Sequence, residues 1–309
     1  MSSRPLKVCV ECHPDFGRGI HRVVAALKRY APAGVEIVDT PEDADHVIHH
    51  IVGVQNFDPH ATIDERISSH HRPYSMIQYC LRTTERPDLV WWKPLWDGAA
   101  AVWSYYDIHA WCLRELESGI DGFLRLPLGV DPTDFHPYER PAIPTYGLVT
   151  SGHVAATECV GECADACAVA DVRMAHLGPR LPELQGAAHV DCFEGVSDAE
   201  LAGIYRASRY VAGLRRVEGF ELPAAEGLLC GARPICFARE HYTHWFDGPG
   251  VYVREDSADL VGDLAAILAV RPRPMAAVEH GLAQRTFSWG RLCGLFWQRV
   301  VERAGTKRV

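Results

Sequence analysis

The chain has 309 residues, 48% of them hydrophobic and 23% charged, a length that suits two domains and a balance that excludes bulk disorder. Its formal net charge is −9, divided as −6 over residues 1–140 and −3 over the rest, so neither half has the basic surplus that broad nucleic-acid binding uses. No apolar run reaches the length of a membrane span, and the opening MSSRPLKVCVECHPDF lacks an apolar stretch followed by a small-residue cleavage site, which makes the cytoplasm the expected location.

The first half alternates strands and helices. Residues 6–12 form a short apolar, β-branched run, predicted as a buried strand, and Asp15-Phe16-Gly17-Arg18-Gly19 follows as a turn. Ile20, Val23, Val24 and Leu27 then recur at helical spacing, the stripe of an amphipathic helix. Residues 35–38, 46–52, 74–79 and 99–103 are predicted as further strands. Five prolines between 127 and 144 mark an interdomain linker. The alternation then restarts. Strands are predicted at 145–151, 172–177, 210–214 and 233–237, and helices at 160–170, from the capping box Ser197–Glu200 onward, at 222–230 with Gly231 as its stop, and at 259–268. The expected fold is α/β, with two doubly wound Rossmann-like domains facing a cleft at the carboxyl ends of their sheets. The domains are expected at 1–140, with the aromatic closing segment 287–309 crossing back to it, and at 141–286.

Chemistry concentrates in Glu218-Gly-Phe-Glu-Leu-Pro-Ala-Ala-Glu226, which leaves a predicted strand and runs into a predicted helix. Backbone N–H groups at a helix N-terminus suit an anion such as a diphosphate, and Gly219 lets the backbone approach it closely. One carboxylate before the helix and one within it can accept hydrogen bonds from several hydroxyls, the groups that sugars and riboses present. A helix cap plus one solvated glutamate fits the spacing equally well.

This segment resembles the E-x7-E signature of the GT-B retaining glycosyltransferases of family 4. The similarity continues through Cys230-Gly-Ala-Arg-Pro-Ile235, the linker pieces Leu126-Pro-Leu-Gly-Val-Asp131 and Phe135-His-Pro137, Phe193-Glu-Gly195 before Ser197, and Phe287-Ser-Trp289. The order of these pieces covers essentially the whole chain. The resemblance implies transfer of a sugar from a nucleotide-sugar donor to a hydroxyl acceptor, with retention and without a bound metal or other cofactor, and UDP is the first expectation for the nucleotide. It implies that Glu226 holds the donor ribose and that Glu218 lies near the donor sugar. Gly219, Phe220, Glu221 and Leu222 would bring backbone to the sugar and phosphates, and Gly17, Arg18 and Gly19 would approach donor phosphate or acceptor. His49 or His50, ending the third strand, would face the reacting groups.

The chain departs from that family where an Arg and a Lys usually neutralise the diphosphate: His153 and Glu158 stand there. Arg215 and Arg216, with Arg18 or Arg82, are the candidates to supply the missing charge. Glu221 also replaces a usual glycine. A phage-type enzyme acting on hydroxymethylated duplex DNA shares the compact size, but the acidic balance opposes it. A non-catalytic relative that has lost the phosphate cations is a third reading.

Other motifs carry less. Cys9-Val-Glu-Cys12-His13 matches a haem-attachment pattern but sits on the first core strand. Cys159, Cys163 and Cys167 fall on one helix face and are expected to be buried rather than to ligate zinc. With no secretion signal, the eleven cysteines are expected to be reduced thiols. Gly17-x-Gly19 with Asp39 echoes a dinucleotide fingerprint, but Arg22 replaces its third glycine. His241-Tyr-Thr-His244 lacks zinc-protease spacing, and Asp43-Ala-Asp45 is expected in a turn. Trp91, Trp92, Trp96, Trp103, Trp111 and Tyr105-Tyr106 make the first half aromatic, as core or as a stacking surface for an acceptor.

Overall fold

The computed structural model describes residues 4–12, 17–51, 72–79, 88–152, 155–216, 219–240, 242 and 244–306. Its contacts group the chain into two compact units, Met1–Gly129 with Trp289–Val309, and Val130–Ser288. Among the described residues each unit holds one six-stranded sheet, parallel at every pairing.

The first unit runs β1 (Leu6–Val10), α1 (Arg18–Arg29), β2 (Val35–Val38), β3 (His46–Ile51), β4 (Tyr74–Gln78), α2 (Leu89–Gly98), β5 (Val102–Ser104), α3 (Ile108–Leu116) and β6 (Phe123–Arg125), and ends with α10 (Trp289–Thr306). The sheet order is β2-β1-β3-β4-β5-β6. The chain therefore steps from β1 to one side and returns to the other, and the topological switch point lies between β1 and β3. β3 is buried at all six positions, as expected of a central parallel strand covered on both faces. It still carries histidines because each finds a partner: His46 Nε2 lies 2.8 Å from Ser75 Oγ and His50 Nδ1 lies 2.8 Å from Tyr79 Oη. α2 starts at Asp88, whose carboxylate accepts from the backbone N–H of Val90 and Trp91. Trp92 and Trp96 stack beneath it with ring centroids 5.6 Å apart.

The second unit runs β7 (Tyr146–Ser151), α4 (Ala155–Glu158), α5 (Val160–Val169), β8 (Met174–Leu177), β9 (Val190–Phe193), α6 (Asp198–Arg206), β10 (Ser208–Gly213), α7 (Leu222–Leu229), β11 (Arg233–Phe237), β12 (Val251–Val253), α8 (Leu260–Ala269) and α9 (Ala277–Thr286). Its sheet order is β12-β11-β10-β7-β8-β9, which puts the switch point between β7 and β10. α6 begins with the predicted capping box: Ser197 and Glu200 exchange side-chain and backbone hydrogen bonds. Gly227 lets α7 lie close on β10, since a Cβ there would meet the Val211 side chain at 2.6 to 3.1 Å. Most of the proline-rich stretch packs on this unit. Phe135 is buried beside Tyr205, and Arg140 donates to the carbonyls of Ser208 at 2.7 Å and Cys230 at 3.2 Å.

Glu279, in the first turn of α9, accepts from the backbone N–H of Ala276 and binds Arg273 and Arg233. These partners, Arg273 first, hold its carboxyl down at about 2 from an ordinary 4.5. A depressed folded pKa stabilises the native state above the unfolded value, and that stability is lost as pH falls through the folded one. Glu279→Gln is therefore expected to flatten the stability–pH curve between about pH 4.5 and 2. Acid denaturation of wild type and variant side by side checks it.

Candidate functional site

In doubly wound sheets ligands bind beyond the carboxyl ends of the strands at the switch point. In the second unit that position is filled by charge. β7 ends at Ser151-Gly152, and the chain beyond β10 passes through Leu214, Arg215 and Arg216 before α7. Arg215 turns back over β7 and donates from Nη2 to Ser151 Oγ at 3.0 Å and Ser151 O at 3.3 Å. Its Nε lies 3.3 Å from Glu158 Oε1 and its Nη1 lies 3.4 Å from Glu221 Oε2. The Arg215 backbone N–H also donates to Glu221 Oε1 at 2.9 Å.

Glu221 is 1% exposed. It occupies the N-cap position of α7, yet its side chain leaves the helix uncapped and turns to Arg215. Gly213 makes room for it, because a Cβ there would meet Glu221 Cγ at 3.1 Å and Cys236 Sγ at 2.8 Å. Arg216 donates its backbone N–H to Thr157 O at 2.7 Å, and its guanidinium lies 3.6 Å from Glu162 and 3.9 Å from Glu255, over the Phe237 ring. Arg239, after β11, binds Glu255 at 2.7 Å and donates to the carbonyls of Arg215 and Arg216. This fixes the loop that carries the two arginines. Of these, Ser151, Glu162, Arg239 and Glu255 were not singled out in the sequence. Ser151, Arg239 and Glu255 lie at or just past strand ends and Glu162 in the first turn of α5, a placement visible only once the strand order is known.

Glu226 sits inside α7 and is 3% exposed, with Tyr205 Oη donating to its Oε2 at 3.3 Å. Burial first, and then the Glu226 carboxylate, push the Tyr205 phenol well above its ordinary range, so it stays a donor. Phe220, also buried, stacks on Phe246 at 6.0 Å, and Leu222 opens the helix with Pro223 behind it. Gly219 is described, whereas Glu218 and His153 lie outside the described residues.

In the first unit the switch point is bracketed by Glu11, just past β1, and His49 on β3. His49 Nδ1 lies 3.3 Å from Glu11 Oε2, and the His49 side chain is 3% exposed. The neighbouring His50 projects to the opposite face, stacked on Tyr79 with centroids 5.7 Å apart. The two histidines that the sequence leaves interchangeable are thus separated by the two-residue period of the strand, and only His49 meets a carboxylate of the β1 end. Gly17 caps α1 in extended conformation and Gly19 falls in its first turn. The Arg18 side chain, Arg82, His13 and His241 lie outside the described residues.

Cys163 and Cys167 are buried on α5, and Cys159 precedes it at φ +52°. Desolvation pushes Cys159 up to about 11 and Cys167 up to about 12, and Cys163 well above its ordinary value, so these thiols pack in the core without reactive thiolate character. The cysteines among the described residues are free. Among those residues no group of three or more His, Cys, Asp or Glu side chains is placed to hold a metal ion. No helix among them is long and apolar enough to cross a membrane.

Neither a family model nor a curated protein sequence matches the chain. Solved structures match along nearly its full length. AviGT4, a glycosyltransferase involved in avilamycin A biosynthesis, superposes with a TM-score of 0.61 at 16% identity over 97% of both chains. A sucrose-phosphate synthase from Thermosynechococcus elongatus gives 0.69 at 15% identity, covering 98% of this chain and 100% of that one. Anabaena HepE in complex with UDP and glucose gives 0.65 at 10% identity, with the same coverage. The fold is therefore that of the GT-B glycosyltransferases, two parallel sheets each flanked by helices.

Proposed function

We propose that the protein is a glycosyltransferase that takes a nucleotide-sugar donor at the β7–β10 switch point of its second unit and passes the sugar to an acceptor hydroxyl. The observation that carries this reading is the Arg215 guanidinium set over the end of β7, beside the start of α7 and the buried Glu226, within a GT-B fold. In this reading Arg215, aided by Arg216, faces the diphosphate in place of the family's Arg and Lys. Glu226 accepts from the ribose hydroxyls, and Glu218 and the backbone of Gly219 to Leu222 meet the sugar. In the retaining course the acceptor oxygen bonds to the anomeric carbon as the bond to phosphate breaks, and the leaving phosphate takes the acceptor proton. UDP is the first base to try, since HepE is solved with UDP and glucose.

A thermal-shift screen against UDP-, GDP-, ADP-, TDP- and CMP-sugars tests donor binding, because a ligand that binds only the native state raises its midpoint. A shift with one base and release of free sugar from that donor is the expected result; no shift with any of them refutes the reading. A shift without any turnover supports the non-catalytic alternative, which the carboxylates paired to Arg215 and Arg216 favour.

Glu226→Gln gives a sharper check. The variant keeps the volume and a Tyr205 partner but loses the charge that strengthens hydrogen bonds from ribose hydroxyls. Such bonds are worth about 1.5–3 kcal/mol, so donor affinity is expected to fall about tenfold or more. An unchanged dissociation constant by calorimetry removes Glu226 from the ribose site.

A further inference from the structure

We infer that Glu158 is a built-in occupant of the anion site on Arg215, and that a diphosphate group binds there by displacing its carboxylate. This inference rests on the nucleotide-sugar reading of the β7–β10 switch point and adds what decides affinity there.

A guanidinium as enclosed as that of Arg215, 19% exposed, needs counter-charge in the absence of ligand, because a buried unpaired charge is strongly unfavourable. Two carboxylates supply it, Glu158 and Glu221. The two are not equivalent. Glu221 is 1% exposed on the side-chain scale, and both its oxygens are engaged by Arg215, one by the backbone N–H and one by the guanidinium. It is part of the wall.

Glu158 is 14% exposed. It is the last residue of the one-turn helix α4, and Cys159 behind it takes the left-handed conformation at φ +52°. Its carboxylate lies directly on the backbone of Gly152, in the volume that any side chain at 152 would take. That volume is the mouth of β7 at the switch point, where this class of sheet receives its ligands. Glu158 thus places an anionic group on the guanidinium, over a glycine, at the position a phosphate would use.

A diphosphate cannot share Arg215 with both carboxylates without like-charge repulsion. Glu221 is 1% exposed and Glu158 14%, so Glu158 is the group that leaves. Affinity for any diphosphate is then reduced by the free energy of breaking the Glu158–Arg215 contact. The Glu158 carboxylate thus acts as a selector against weakly held anions.

Calorimetric titration of UDP, GDP, ADP, TDP and inorganic pyrophosphate, together with the nucleoside of whichever diphosphate binds, into wild type, Glu158→Gln and Glu158→Asp tests this. Glu158→Gln is expected to bind the preferred diphosphate about tenfold more tightly than wild type, the size of one charged hydrogen bond. Affinity for the matching nucleoside should be unchanged. Glu158→Asp withdraws the carboxylate by one methylene and is expected to fall between the two, which keeps the inference testable if the glutamine variant folds poorly. Wild-type binding with equal or weaker binding by Glu158→Gln overturns the inference and makes Glu158 a support for Arg215, leaving the donor reading intact. No binding of any probe by wild type or variants overturns the donor reading and this inference with it.

Discussion

Replacing Arg215 is expected to lower turnover with the preferred donor by about 100- to 1000-fold, the effect typical of losing a preorganised donor to a developing anion. Arg215 holds Ser151, Glu158 and Glu221 through its guanidinium, and so sets both the charge and the shape at the mouth of β7. Without it the same volume holds two carboxylates, one of them 1% exposed, and repels the phosphates it is proposed to receive. The loss should therefore exceed that of a single hydrogen bond. Arg215→Lys keeps the charge but not the planar fork that spans several acceptors at once, so it should recover only part of the activity. Arg216→Ala should cost less, because that side chain leans on Glu162, Glu255 and the Phe237 ring. Turnover is to be measured on protein shown to be folded, since an uncompensated Glu221 also destabilises. Full activity in Arg215→Ala would move the phosphate-binding charge elsewhere in the chain.

The sequence made the strand–helix alternation legible because its cues are local. The 35–38 and 233–237 strands and the Ser197 capping box lie where apolar runs and cap chemistry placed them. β6, β9 and β12 escaped because they are short, at three or four residues, and include Arg125, Asp191 and Tyr252 rather than a continuous apolar run. α2 escaped because Pro94 interrupts its pattern, although the ten-residue helix runs through it. The site was legible only as a set of residue types. The sequence supplies two arginines and several glutamates around 215–226, but charge pairing is a property of strand order. β7 and β10 are neighbours although some sixty residues separate them, and only that adjacency brings Glu158 to Arg215. The same holds in the first unit, where Glu11 meets His49 because β1 pairs with β3.

Trp297→Ala is expected to destabilise the first unit by about 3–5 kcal/mol, the usual cost of emptying a buried aromatic site. Trp297 is 1% exposed on α10, and its indole N–H donates to Leu27 O at 3.1 Å. α1 ends at Arg29, so the Leu27 carbonyl is among the last four of that helix, which have no partner within it. One side chain therefore fills the core and satisfies a helix end. Phe296 beside it continues the contact to Trp103, with centroids 5.6 Å apart. Trp297→Phe separates the two contributions. It keeps most of the apolar contact and removes the donor, so it should cost about 1–2 kcal/mol. Of the eight tryptophans, only Trp245 belongs to the second unit, so intrinsic fluorescence during urea unfolding follows the first. The expected result is a lower midpoint for both variants, larger for alanine, with an unchanged slope. A Trp297→Ala midpoint equal to that of wild type would mean that α10 adds nothing to the stability of the unit it packs on.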